Sequence, residues 1–144
     1  MPRILIVDDD PCIRILLLQV FEELEDEGVE LLTADNGETA LEIIRREKPE
    51  VVFLDVMMPK MNGFDVCNAV KNELGIKDLC IVLLTVKGQK VDKQRGEDVG
   101  ADVYMTKPFN PDEILEVARR NLGMRSIDPL RSMDDACAVL DRPS

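Results

Sequence analysis

Five short apolar runs, each separated from the next by a stretch of helical periodicity, limit what this chain can fold into more than any other feature. The runs are Arg3–Asp8, Glu30–Ala34, Val51–Asp55, Leu79–Leu84 and the weaker Asp102–Met105, all rich in β-branched or aliphatic residues. Arg3–Asp8 reads R-I-L-I-V-D, an unbroken apolar stretch ending in an acid, as expected for a strand buried on both faces whose end meets solvent.

Ile13, Leu16, Leu17, Val20 and Leu24 fall at offsets of 3, 4, 7 and 11 and predict one inward helix face. A second helix starts at Asn36, with Ala40, Leu41 and Ile44 inward and Pro49 after its end. Phe64, Cys67, Val70 and Leu74 mark a third helix. A mostly charged stretch from Lys90 to Val99 predicts a fourth, and Pro111 opens a fifth carrying Ile114, Leu115, Ala118 and Leu122. Strict alternation implies an α/β chain with a doubly wound, five-stranded parallel sheet, because each right-handed crossover must lay its helix on one face or the other. The expected strand order is the flavodoxin-like 2-1-3-4-5 of a (βα)5 unit, and chemistry is expected at the carboxyl ends of the strands. Residues 2–123 are expected to form this domain. Residues 124–144, with Met133, Ala136, Cys137 and Leu140 at helical spacing, read as a C-terminal tail with a short helix.

Charge narrows the function. With 29 acidic against 18 basic residues, the net charge of −11 repels nucleic acid and anionic membranes, so neither is expected as a direct partner. No apolar run is long enough to span a bilayer, and no signal peptide is apparent. Cys12, Cys67, Cys80 and Cys137 lack CxxC spacing, and the sequence contains no histidine to complete a metal site with them; free thiols in the cytoplasm are expected.

The strand ends carry an unusual set. Asp8, Asp9 and Asp10 follow the first run, Asp55 ends the third, Thr85 follows the fourth and Lys107 lies just beyond the fifth. Carboxylates gathered on one sheet edge repel each other unless a hard cation or a lysine compensates, which makes a divalent ion such as Mg²⁺ the natural occupant. Asp10, directly before Pro11, reads instead as a helix N-cap. Gly63 follows Asn62 in a turn pair and is expected to serve the backbone.

Four segments together, I-L-I-V-D-D-D-P at 4–11, F-L-D-V-M-M-P-K-M-N-G-F at 53–64, L-L-T-V-K-G-Q at 83–89 and G-A-D-V-Y-M-T-K-P-F at 100–109, resemble the receiver domains of two-component response regulators. The resemblance spans roughly residues 2–123 and implies a single-domain, chemotaxis-type phosphoacceptor switch. It implies that Asp55 takes a phosphoryl group from a sensor histidine kinase or a histidine phosphotransfer protein. Asp9 would bind Mg²⁺ directly, Asp8 mostly through water, Asp55 by its carboxylate and Met57 by its backbone carbonyl, with Mn²⁺ able to replace Mg²⁺. Lys107 and Thr85 would hold phosphoryl oxygens, Thr85 and Tyr104 would form the switch pair, and the Lys107–Pro108 peptide would be cis. Signalling through protein contact is implied at the face of the fourth helix, fifth strand and fifth helix, with a phosphorylation-linked homodimer as one such assembly. Such a domain promotes its own aspartyl phosphorylation and dephosphorylation without being an enzyme in the usual sense.

One departure stands out. Val86 occupies a position that is usually small in that family, and its bulk, with Met57 and Lys87 nearby, is expected to alter access to Asp55. A haloacid-dehalogenase-type Mg²⁺ phosphatase also uses a strand-end aspartate, a threonine and a lysine, but its nucleophile is followed two residues on by a second aspartate, where this chain has Met57. A flavodoxin would share the architecture but not the paired acids after the first strand.

Overall fold

The computed structural model describes residues 2–86 and 99–123, excepting the side chain of Val86. Five strands, β1 (Arg3–Val7), β2 (Glu30–Ala34), β3 (Val51–Asp55), β4 (Cys80–Val86) and β5 (Val103–Lys107), form one all-parallel sheet in the order β2-β1-β3-β4-β5. That is the 2-1-3-4-5 arrangement expected from the alternation. Helices α1 (Pro11–Val20), α2 (Glu22–Asp26), α3 (Gly37–Glu47), α4 (Gly63–Asn68) and α5 (Pro111–Asn121) cover the two faces. The expected helix over Lys90–Val99, apart from Val99, and the tail at 124–144 lie outside the described residues.

Alternation along the strands sorts the core. Leu5, Val7, Val52, Leu54, Ile81 and Leu83 face α3 and α4, whereas Ile4, Ile6, Val51, Phe53, Val82 and Leu84 face α1, α2 and α5. All twelve are buried, which is why the central runs are continuously apolar rather than alternating.

Helix starts follow their capping chemistry. The Asn36 side chain accepts from Thr39 N, Asn110 from Asp112 N with Pro111 next, and Asn62 forms a reciprocal box with Asp65. Two inward faces differ from the periodicity. The first helix breaks at Phe21, so Leu17, Phe21 and Leu24 are buried while Leu16 is 41% exposed. After α4 the backbone widens into a π-helical turn at Ala69–Glu73, which leaves Leu74 exposed and turns Lys71 inward.

Candidate functional site

The register brings the acids together. Val7 lies beside both Ala34 and Leu54, so β1 and β3 end at the same level and deliver Asp8 and Asp55 to one edge. Asp8 is held from several sides. Its N–H donates to Ala34 O at 3.2 Å, its Oδ1 accepts from Asp10 N at 2.9 Å, and its own carbonyl accepts from Arg14 Nη1 at 2.7 Å. Asp9 is exposed. Asp10 is an N-cap, as read from Pro11, its Oδ1 accepting from Cys12 N at 2.9 Å.

Carboxylate oxygens of Asp8, Asp9 and Asp55 lie within 4.8 Å of one another, a spacing that suits a small hard cation. Lys107 reaches in from the end of β5, its Nζ 3.1 Å from Asp8 Oδ2 and 3.1 Å from Asp55 Oδ1. The Asp8 contact is aligned as a hydrogen bond; the Asp55 contact is an ion pair by distance whose angle is not that of one. The Lys107–Pro108 peptide bond is cis.

Burial pushes the Asp55 carboxyl up to about 6, and the negative charge of Asp8 pushes the same way. Lys107 and the backbone N–H of Met57 pull it back only in part. For Lys107, burial acts downward, but the charges of Asp55 and Asp8 outweigh it and hold the ammonium above its ordinary value.

The loop after β3 is fixed by backbone contacts. Val56 N donates to Leu84 O and Gly63 N to Val56 O, each at 2.9 Å. A Cβ on Gly63 would stand 2.6 Å from Asp55 O and 2.9 Å from Val56 Cα, so the approach of α4 to the Asp55 backbone requires glycine here. Met57 projects its side chain outward, 54% exposed.

Thr85 lies one residue past Leu84, the β4 partner of Asp55, and its buried Oγ1 has no hydrogen-bond partner among the described residues. Tyr104, beside Leu83, is buried against the α3 and α4 face of the core, the same sheet face as Thr85 by strand alternation. The structure therefore brings Asp8, Asp9, Asp55 and Lys107 into one cluster, with Thr85 and Tyr104 on the adjoining strands. The side chain of Val86 and all of Lys87 lie outside the described residues. Arg14 was not legible as part of this cluster, because an arginine on a helix's first turns is ordinary solvation unless the loop beneath it is known. For Gly63 the turn pair was visible but not the contact that demands it.

Comparison with known proteins bears on the family and the fold. The response regulator receiver domain family matches residues 4–119. The probable transcriptional regulator ycf27 of Porphyra purpurea is 45% identical over 124 residues, 86% of this chain and 48% of that protein. The DNA-binding response regulator MtrA of Mycolicibacterium smegmatis is 37% identical over 142 residues, 99% of this chain and 60% of that protein. The chain thus spans about half the length of the curated relatives it matches. Among solved structures, the Vibrio cholerae chemotaxis protein CheY4 superposes with a TM-score of 0.72 at 36% identity, covering 83% of this chain and 98% of that one.

Proposed function

The chain belongs to the response regulator receiver domain family, and we propose that Asp55 is its phosphoryl acceptor, with Asp8, Asp9, Asp55 and the Met57 carbonyl holding Mg²⁺. The observation that carries this reading is the meeting of three carboxylates within 4.8 Å with one lysine ion-paired to two of them. Receiver domains of this family act in two-component systems, and their partner is a histidine kinase. The family assignment gives no support to the phosphatase alternative.

In the proposed step, a carboxylate oxygen of Asp55 attacks the phosphorus of a phosphohistidine in line. The P–N bond breaks with its electron pair leaving on the imidazole, which takes up a proton, and Asp55 becomes an acyl phosphate. The sequence has no histidine, so the donor belongs to another molecule or to chain beyond this sequence. Lys107, already positioned 3.1 Å from Asp55, would follow the charge onto a phosphoryl oxygen. Thr85, whose buried hydroxyl has no hydrogen-bond partner among the described residues, would donate to a second oxygen. When bound, Mg²⁺ supplies charge neutralisation at the carboxylates and the phosphoryl group. Tyr104 and Thr85, on one sheet face, would carry the new charge to the surface around β5 and α5, where a protein partner reads it. Hydrolysis of the acyl phosphate would reset the switch. Among the described residues no helix is long and apolar enough to cross a membrane. DNA binding, named for longer relatives, stays with those proteins.

The test is incubation with acetyl phosphate and Mg²⁺ followed by intact-mass measurement. The wild type is expected to gain one phosphoryl group that chelation of the metal prevents. Asp55→Asn is expected to gain none, and an adduct on that variant would refute the assignment.

A further inference from the structure

Of the three carboxylates at the carboxyl edge of the sheet, two are held through their side chains and one is not. Asp8 accepts from Asp10 N through Oδ1 and from Lys107 through Oδ2, and Asp55 is ion-paired with the same lysine. Asp9 is exposed, and among the described residues its carboxylate has neither a hydrogen bond nor an ion pair. Two like charges within 4.8 Å drive it toward solvent. Its place in the cluster therefore rests on its backbone.

That backbone is anchored on both sides. Beyond Asp9, the Asp10 N–H donates to Asp8 Oδ1, and the Asp10 carbonyl accepts from Ile13 N and Arg14 N at 3.1 and 3.2 Å. Before it, the peptide joining Asp8 to Asp9 has one partner among the described residues, the Arg14 guanidinium, whose Nη1 donates to Asp8 O at 2.7 Å. A peptide is planar, so holding that carbonyl fixes the plane from which the Asp9 Cα departs. Helical side chains lean toward the amino end of their helix, and Arg14, four residues after the N-cap Asp10, is thereby aimed back at this loop.

The partner of Arg14 is the telling feature. Three aspartates lie in the adjoining loop, yet among the described residues the guanidinium forms an ion pair with none of them and bonds the carbonyl. A cation placed to neutralise acids meets their carboxylates, as Lys107 does twice. We propose that Arg14 is a positioning residue of the cation site, holding the Asp8–Asp9 peptide so that the Asp9 carboxylate stays beside Asp8 and Asp55. The inference rests on the metal reading given above and adds to it a residue outside the ligand set.

Two effects of Arg14 on a bound divalent ion have opposite signs, which makes the role measurable. Its positive charge near the site repels a cation, so charge alone makes Arg14→Met bind the ion more tightly. Loss of the clamp makes it bind more weakly, by about tenfold or more where the hydrogen bond behind a ligand sets that ligand's direction.

The probe is Mn²⁺, with the free ion counted by its paramagnetic resonance signal and folding checked by melting in chelator. Wild type is expected to bind one ion and Arg14→Met to bind it at least about tenfold more weakly. Arg14→Lys, which keeps a charged donor, should recover part of the loss. In an Asp9→Ala background the Arg14→Met substitution should change the affinity little, since the group it positions is already gone. Arg14→Ala, a strong helix former, gives the same comparison if the methionine variant does not fold. Equal or tighter binding by Arg14→Met, with wild-type binding intact, would overturn the role of Arg14 and leave the metal reading standing. So would losses that add fully in the double variant, since they mark a general loosening rather than an effect through Asp9. A wild type that binds no Mn²⁺ would remove the metal site and this role with it.

Discussion

A carboxylate at the end of a central strand is costly when ionised, and Asp55 has the cost built in. Its folded pKa of about 6 lies above its ordinary value of 3.8, so the native state holds this proton more tightly than the unfolded chain does. Stability from this group is therefore full below about pH 4 and is lost as pH rises through about 6, leaving a penalty of about 2–3 kcal/mol above that. In chelator at pH 8, Asp55→Asn is expected to be about 2–3 kcal/mol more stable than wild type by urea denaturation, a gain in which the attraction of Lys107 is already counted because it helps set the pKa of about 6. At pH 4 the two proteins should nearly coincide, and a difference independent of pH would contradict the burial argument. The acids at this site could be named from strand-end position alone. Their spacing could not, because it depends on Arg14, the Asp10 N–H and the glycine at position 63 holding two loops in place.

Elements obeyed periodicity where the helix kept its ordinary pitch and departed where it did not. Leu16 was expected inward on an unbroken helix, but α1 stops at Val20 and Phe21 turns into the core, its ring 5.0 Å from that of Phe53. One large aromatic at the break satisfies the core better than the continuation would. Likewise the π-helical turn spends an extra residue, which turns Leu74 out and Lys71 in. Lys71 is only 4% exposed and pairs with Asp102 at 3.1 Å, while Asp102 Oδ2 accepts from Ile81 N at 2.8 Å. This ties the turn to the start of β4 and β5. Lys71→Met is expected to cost about 3 kcal/mol by urea denaturation, since it leaves a largely buried carboxylate without that cation. Adding Asp102→Asn should recover part of the loss; strictly additive effects would mean the pair is not coupled.

At the scale of the molecule, the sheet converts distance in sequence into contact. Asp8 and Lys107 are 99 residues apart and 3.1 Å apart in space. Because the carboxylates converge only in the folded state, a divalent ion at the proposed site would bind that state alone. Free Mg²⁺ at a hundred times its dissociation constant is expected to add about 2.7 kcal/mol of stability, read as a rise in melting temperature. Asp9→Asn should abolish most of that rise, and an undiminished rise would remove Asp9 from the metal site. Fold class, strand count and the placement of the acids, the threonine and the lysine at strand ends were decided by the sequence itself, because two-faced burial and helical amphipathicity leave direct marks on residue order. Tertiary structure alone decided the rest: the 4.8 Å grouping of the carboxylates, the raised pKa of Asp55 and the inward turn of Lys71. Each of these depends on how far two separate elements stand from each other, a quantity that no local pattern of residues encodes.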